Sequence, residues 1–110
     1  CLKDGDFVLL GYVPGENGVK SLLLGAYENG ALRPFGRVSL GILKEAADIV
    51  RRFAREHPRD IPPHGGKDAV FMQPLLVCTV RYMARLPNGL RQPVFKGLRP
   101  DKKPEECVLP

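Results

Sequence analysis

The sequence predicts a mainly β fold, a five-stranded barrel with one α-helix between the third and fourth strands. Three apolar segments with β-type patterning come first, and a segment with helical periodicity follows them. Two further β-patterned segments, joined by a short Pro-Asn-Gly turn, complete the order. The 110 residues suffice for one hydrophobic core, so we expect a single domain over residues 1–110.

The first two predicted strands cover residues 7–13 and 21–27, which are apolar along most of their length. Strict alternation along the first strand gives it two apolar faces, with Leu9 on one face and Tyr12 on the other. Residues 14–18, Pro-Gly-Glu-Asn-Gly, predict the loop between the two strands.

The third predicted strand, residues 32–38, follows a tight hairpin turn at Asn29-Gly30, because both of those residues tolerate positive φ. Alternation along this strand places three side chains on one face: Arg33, Phe35 and Arg37. The pattern therefore predicts a basic face with an aromatic ring between two arginines.

A single amphipathic helix is predicted over residues 43–56, where apolar side chains recur at helical spacing. Pro58 ends it, and residues 58–67 form a loop rich in proline and glycine. The arginines near its end suit the helix dipole and are more typical of a solvated face than of a DNA site.

The last two predicted strands cover residues 75–86 and 90–98, joined by a turn at residues 87–89. Alternation in the first of them places Cys78 on an apolar face, which predicts a core position. Three strands, a helix and a two-stranded hairpin is the element order of the OB-fold, a Greek-key barrel.

OB-folds bind nucleic acid on their second and third strands and on adjoining loops. Arg33 and Arg37 fall on the third strand, and the net charge of +5 suits a polyanionic partner such as nucleic acid. The charge and the element order are thus compatible with a nucleic-acid-binding role, although many basic domains bind no nucleic acid.

Cysteine and histidine usage excludes several other classes of protein. Three cysteines without a Cys-x-x-Cys pair and two isolated histidines predict neither a disulfide scaffold nor a metal site. No apolar run approaches the ~20 residues of a membrane span, and no signal-peptide pattern is present, which favours the cytoplasm.

A charged cluster follows the last predicted strand. Arg99 offers a planar fork for phosphate oxygens, Lys102 adds a point charge, and Asp101 can orient a cation or the loop backbone. Pro100 stiffens the link between them. The cluster is either a polyphosphate contact or an ordinary solvated turn.

The longer stretch over residues 90–106, LRQPVFKGLRPDKKPEE, resembles the final motif of ATP-dependent DNA ligases, called motif VI. Its Phe-x-Gly-Leu-Arg-x-Asp-Lys pattern is similar to that of the bacterial DNA ligase D type. Residues 6–12 and 21–41 resemble strands of the same domain. Where the family often has Gly-Thr-Gly, this chain has Ser-Leu-Gly at residues 39–41.

The resemblance implies the C-terminal OB-fold domain of an enzyme that transfers AMP from ATP, through a lysine, to a DNA 5′-phosphate and then seals the nick in DNA repair. Motif VI would contact the ATP phosphates through three residues: Arg99, Asp101 and Lys102. Five cations are candidate DNA contacts: Arg33, Arg37, Arg81, Arg85 and Lys96. The family's lysine nucleophile lies in Lys-x-Asp-Gly, from which Lys3-Asp4-Gly5 departs by one residue. The nucleotidyltransferase domain is therefore expected on a preceding part of the protein.

The resemblance also implies cofactors and partners. ATP and Mg²⁺ would serve the full-length enzyme without binding to this domain alone, which should be inactive by itself. The expected partners are nicked duplex DNA, the nucleotidyltransferase domain and Ku, at the bacterial nucleoid and away from membranes. Three other functions stay open. One is a stand-alone OB module that stacks single-stranded nucleic acid on exposed aromatics such as Phe35 and Tyr27. The others are the OB domain of an mRNA capping guanylyltransferase and a purely structural interaction domain.

Overall fold

A computed structural model of the chain describes residues 1–60 and 68–110. The described elements, in chain order, are β1 (Lys3–Gly15), β2 (Gly18–Glu28), β3 (Ala31–Val38), α1 (Lys44–Glu56), β4 (Val70–Phe71), β5 (Val77–Tyr82), β6 (Ala84–Leu86), β7 (Gly89–Arg91), β8 (Val94–Leu98) and a 3₁₀ turn (Pro104–Glu106). Most of the loop predicted over residues 58–67 lies outside the described residues, and so does His64.

The main sheet has the strand order β3-β2-β1-β5-β8, with every neighbouring pair antiparallel and β4 paired to β1. A parallel bridge between Leu40 and Val94 joins the chain after β3 to β8, where the Phe95 N–H donates to the Leu40 carbonyl over 2.8 Å. This bridge closes the sheet into a barrel. The predicted mainly β OB-fold, with its helix after the third strand, is thereby confirmed.

The path of the main sheet contains five strands, as many as were predicted, and the structure describes three shorter strands besides these: β4, β6 and β7. The strand predicted over residues 75–86 breaks at Met83 into β5 and β6, and the one over residues 90–98 breaks between β7 and β8. Gln92 adopts a positive φ of 51° at the second break, and Pro93 has no N–H to offer a sheet. The detached pieces β6 and β7 form their own hairpin, and β4, at two residues, was too short to predict.

A β-bulge in β1 changes which side chains share a face. Leu9 pairs with Leu24 while Gly11 pairs with Leu23, so Leu10 is an extra residue in β1. The bulge turns Tyr12 into the core beside Leu9, although strict alternation places the two on opposite faces. The predicted placement of Tyr12 is therefore wrong.

A second irregularity lies in β3, where Phe35 and Gly36 together face one residue of β2. Gly36 has a φ of 78°, and a Cβ there would lie 2.9 Å from the Gly89 Cα, so the position requires glycine. Phe35 is fully buried, and its ring stacks parallel to that of Phe7 with centroids 6.3 Å apart. The prediction of an exposed aromatic on the basic face is wrong, because Phe35 belongs to the core.

Helix α1 lies against the barrel and confirms the predicted helix. Ala47, Val50 and Ala54 are its buried residues, and Val50 and Ala54 join the main core, which also contains Cys78 as predicted. Leu43 instead precedes the helix and is exposed. Within residues 1–60 and 68–110, no helix has the length and apolar character that crossing a membrane requires.

Candidate functional site

Strand β8 delivers the predicted charged cluster to a turn that is hydrogen-bonded to the barrel. The Arg99 N–H donates to the Val77 carbonyl over 2.7 Å, which continues the pairing of β8 with β5. The Lys102 N–H then donates to the Arg99 carbonyl over 3.2 Å and closes the turn. The backbone thus fixes where both cations leave the sheet.

Arg99 and Asp101 form a two-point ion pair. Arg99 Nε lies 3.1 Å from one Asp101 carboxylate oxygen, and Nη2 lies 3.0 Å from the other. This hydrogen bonding raises the pKa of Arg99 and lowers the pKa of Asp101. The Asp101 side chain is 68% exposed, so the pair is open to exchange with a solvent-borne anion.

Asp6, on β1, is a fourth charged group at this turn, and the sequence analysis missed it. One of its oxygens accepts a hydrogen bond from Thr79 Oγ1 over 2.6 Å. The other lies 3.5 Å from Arg99 Nη1 and 3.6 Å from Lys102 Nζ. Two cations and two carboxylates therefore form one compact set, which we call the motif VI cluster: Asp6, Arg99, Asp101 and Lys102.

Two of the predicted DNA contacts lie on the same face as the motif VI cluster. Asp4 and Asp6 are two residues apart on β1, and they pair across the sheet with Arg81 and Thr79, so all four side chains share a face. Arg81 forms a two-point ion pair with Asp4, at 2.8 and 3.2 Å, which lowers the pKa of Asp4. The positive charge of Lys96 nearby lowers it further.

Arg33 and Arg85 lie elsewhere, over the ring of Phe35. Their guanidinium carbons are 5.8 and 5.5 Å from the ring centroid, within range for cation–π attraction. Arg33 also donates to the Asn88 side-chain oxygen over 2.8 Å and to the Pro87 carbonyl over 2.9 Å. Arg33 therefore ties the β6–β7 hairpin to β3, which limits its freedom to contact a ligand.

A basin of about 660 Å³ opens beside β3 and is lined by both apolar and polar side chains. Its apolar lining comes from Leu10, Val13, Leu23, Leu24, Pro34 and Phe71, and its polar lining from Lys20, Arg33, Arg37, Asp68 and Asn88. Arg37 is exposed and forms no ion pair with any described residue. This surface, which we call the β3 basin, therefore has a cation available for an external anion.

The five predicted DNA contacts thus do not form one surface. Arg33 and Arg37 line the β3 basin, Arg85 adjoins Arg33, and Arg81 and Lys96 lie on the face of the motif VI cluster. Only the three-dimensional pairing of strands reveals this division, because charge spacing along the sequence does not report which face a bulged strand presents.

The buried thiols complete the inventory of reactive groups. Cys78 is fully buried, which raises the pKa of its thiol, and burial likewise raises the pKa of Cys107 to about 11. Within the described part of the chain, no three His, Cys, Asp or Glu side chains gather as a metal-binding group. The chemistry that the two surfaces offer is therefore the binding of anions by positioned cations.

Comparison with known proteins places this geometry in a family context. Residues 15–102 match the family model described as "ATP dependent DNA ligase C terminal region". The multifunctional non-homologous end joining DNA repair protein LigD of Mycobacterium tuberculosis is 39% identical over 115 residues, and LigD of Mycolicibacterium smegmatis is 32% identical over the same length. Each alignment covers 94% of this chain but only 15% of the relative.

Two solved structures share the fold. The ligase domain of M. tuberculosis LigD superposes with a TM-score of 0.86 at 34% identity, covering 99% of this chain and 39% of that one. A mycobacterial DNA ligase D complexed with ATP and MES gives 0.82 at 33% identity, covering 96% of this chain and 37% of that one.

Proposed function

The chain belongs to the family of ATP-dependent DNA ligase C-terminal regions, and we propose that it is the OB-fold domain of a LigD-type ligase that seals nicked duplex DNA in end joining. It would act with a nucleotidyltransferase domain that carries the lysine nucleophile. The observation that carries the proposal is the motif VI cluster, in which the barrel holds Arg99 and Lys102 side by side.

The motif VI cluster suits the polyphosphate of ATP. The edge of Arg99 that now grips two carboxylate oxygens of Asp101 has the spacing to grip two phosphate oxygens. Cations placed there would stabilise the charge that develops on pyrophosphate as it leaves. Both carboxylates of the cluster pair with its cations, so we assign Mg²⁺ to ATP and to the nucleotidyltransferase domain.

The β3 basin suits the phosphates of duplex DNA. We assign phosphate contacts there to Arg37 and Arg85, which are exposed, and we assign to Arg33 the support of the hairpin that carries Arg85. Arg81 and Lys96 would meet DNA when the cluster face is turned toward it. The domain would thus present the motif VI cluster to ATP in one pose and the β3 basin to DNA in another pose of the same reaction cycle.

Mutations should separate the two faces in a ligase that contains this chain and its nucleotidyltransferase domain. Under single-turnover conditions, Arg99→Ala should slow lysine adenylylation by roughly tenfold to a hundredfold, because a charge-assisted contact realised in the transition state is lost. Sealing of a pre-adenylylated nick should change little. Arg37→Ala should weaken the sealing step and spare adenylylation.

Arg52→Ala is the matched control, because it removes the same charge from an exposed position on α1. It should leave both half-reactions unchanged. If Arg99→Ala impaired both steps equally, or spared adenylylation, the assignment of the motif VI cluster to ATP would be wrong.

The partners complete the proposal. Ku is a proposed partner because the matched relatives carry names of end-joining proteins, and association with the nucleoid would follow from binding to DNA. Co-purification of the ligase with Ku, with and without this domain, would test the first point. The alternative of a single-strand-binding module is weakened by the burial of Phe35, which removes a stacking surface.

A further inference from the structure

Arg99 meets two carboxylates that differ in how firmly they are held. Asp101 lies two residues away in an exposed turn and occupies the Nε and Nη2 edge of the guanidinium. Asp6 lies on β1, is only 21% exposed, and approaches the remaining nitrogen, Nη1. A phosphate arriving at Arg99 would therefore displace Asp101 more easily than Asp6.

Asp6 is itself fixed by its surroundings. The short hydrogen bond from Thr79, at 2.6 Å, holds one carboxylate oxygen, and the pairing of β1 with β5 places the two residues opposite each other. The other oxygen is left to face Arg99 and Lys102. The carboxylate thus has one orientation in which it serves both cations.

The distances from Asp6 to Arg99 and Lys102 indicate that its charge attracts both cations without using up their hydrogen-bond donors. Lengths of 3.5 and 3.6 Å exceed the usual 2.7–3.2 Å of an N–H···O hydrogen bond. The N–H groups of both cations stay able to donate to another acceptor while the charge of Asp6 holds the cations in place. A shared counter-ion with this geometry can aim two cations at one polyphosphate.

We propose that Asp6 is a positioning residue of the motif VI cluster, which keeps Arg99 and Lys102 aimed at a shared phosphate group while Asp101 gives way to it. The inference rests on the proposed function and adds to it a residue outside the motif. Asp6 does not touch ATP in this scheme, because it acts through the two cations.

The test is Asp6→Asn in a ligase that carries this chain and its nucleotidyltransferase domain, with adenylylation followed over a range of ATP concentrations. Asparagine keeps the shape of the aspartate side chain but faces the cations with a neutral amide in place of a charged carboxylate. We expect the maximal adenylylation rate to fall about tenfold, with sealing of a pre-adenylylated nick unchanged. If Asp6 merely competed with ATP for the cations, its removal would accelerate adenylylation, which would overturn the proposal.

Asp4→Asn provides the matched control, because Asp4 lies on the same strand and face but pairs with Arg81. It should leave the adenylylation rate unchanged, and an equal loss would overturn the proposal. Thr79→Val, which removes only the hydroxyl that orients Asp6, should give a smaller loss in the same direction. This second variant keeps the test decisive if Asp6→Asn fails to fold.

A ligase that lacks both cations distinguishes a positioning role of Asp6 from general damage to the fold. In an Arg99→Ala, Lys102→Ala ligase, Asp6→Asn should cause no additional loss, because the groups that it positions are gone. A further tenfold loss in that background would show a merely structural role. If Arg99→Ala itself left adenylylation intact, the proposed function would fail. If Arg99→Ala slowed adenylylation while Asp6→Asn did not, only the present inference would fail.

Discussion

Replacing Gly41 with alanine should destabilise the barrel at its point of closure. Gly41 has a φ of 86°, and a Cβ there would lie 2.6 Å from the carbonyl oxygen of Phe95 and 2.9 Å from a Val94 methyl. The chain after β3 meets β8 at this point, through the hydrogen bond between Leu40 and Phe95. The new methyl group must therefore push β8 away from its partner.

The loss of stability that we expect for Gly41→Ala has three contributions. The positive φ costs an L-residue about 1–2 kcal/mol. Loss of the closing hydrogen bond costs about 1 kcal/mol, and overpacking against β8 adds about 1 kcal/mol or more. We therefore expect Gly41→Ala to lower the free energy of unfolding by about 3 kcal/mol. Because β8 carries Arg99, the same shift should disturb the motif VI cluster.

Comparison of Gly30→Ala with Gly41→Ala separates the loss of stability caused by steric contact from the loss caused by the positive φ. Gly30 has nearly the same φ, 82°, but nothing lies within 4 Å of the Cβ that alanine would add. It should therefore cost only about 1 kcal/mol. Urea and thermal unfolding of both variants would measure the difference, which we expect to reach roughly 10 °C in Tm. Equal losses of stability would refute the claim that Gly41 packs tightly against β8.

Three further predictions concern single groups. At pH 8, iodoacetamide should alkylate the native chain once, at exposed Cys1, and three times in denaturant; rapid native labelling of three thiols would contradict the burial of the other two. In an NMR titration, the Asp101 carboxylate should show a pKa below the ordinary value of about 3.9. Its ion pair with Arg99 is present at neutral pH and is lost as the pH falls through this lowered pKa, so Arg99→Ala should raise the pKa of Asp101. Arg37→Ala should weaken duplex binding and reduce the slope of log K against log salt by about one, whereas equal slopes for Arg37→Ala and Arg52→Ala would remove Arg37 from the DNA surface.

Local signals in the sequence were enough to predict most of the barrel. Asn29 and Gly30 adopt φ values of 52° and 82°, as the predicted hairpin turn requires. The apolar stripe of α1 and the alternation of β5 likewise depend only on neighbours along the chain. Features of this kind can be recognised without knowing which strands pair.

The bulges could not be predicted in that way. Leu10 becomes an extra residue only because β2 supplies one partner where β1 has two, and the same holds for Phe35 and Gly36 against β2. Each bulge reverses the alternation beyond it, so Tyr12 lies in the core with Leu9, and Val38, beyond the second bulge, lies in the core with Phe35. The wrong placement of Tyr12 therefore has a definite structural cause.

The same limit applies to the charges of the candidate site. Arg99, Asp101 and Lys102 could be grouped from the sequence because they lie within one turn, whereas Asp6 becomes their partner only when β1 pairs with β5. Whether a cation is available to an external phosphate depends on the acceptors that folding brings beside it. Arg81 is bound at two points by Asp4, and Arg33 is bound to the β6–β7 hairpin, whereas Arg37 forms no ion pair with any described residue. Arg37 is therefore the better candidate for DNA, although the sequence presents all three as equivalent positive charges.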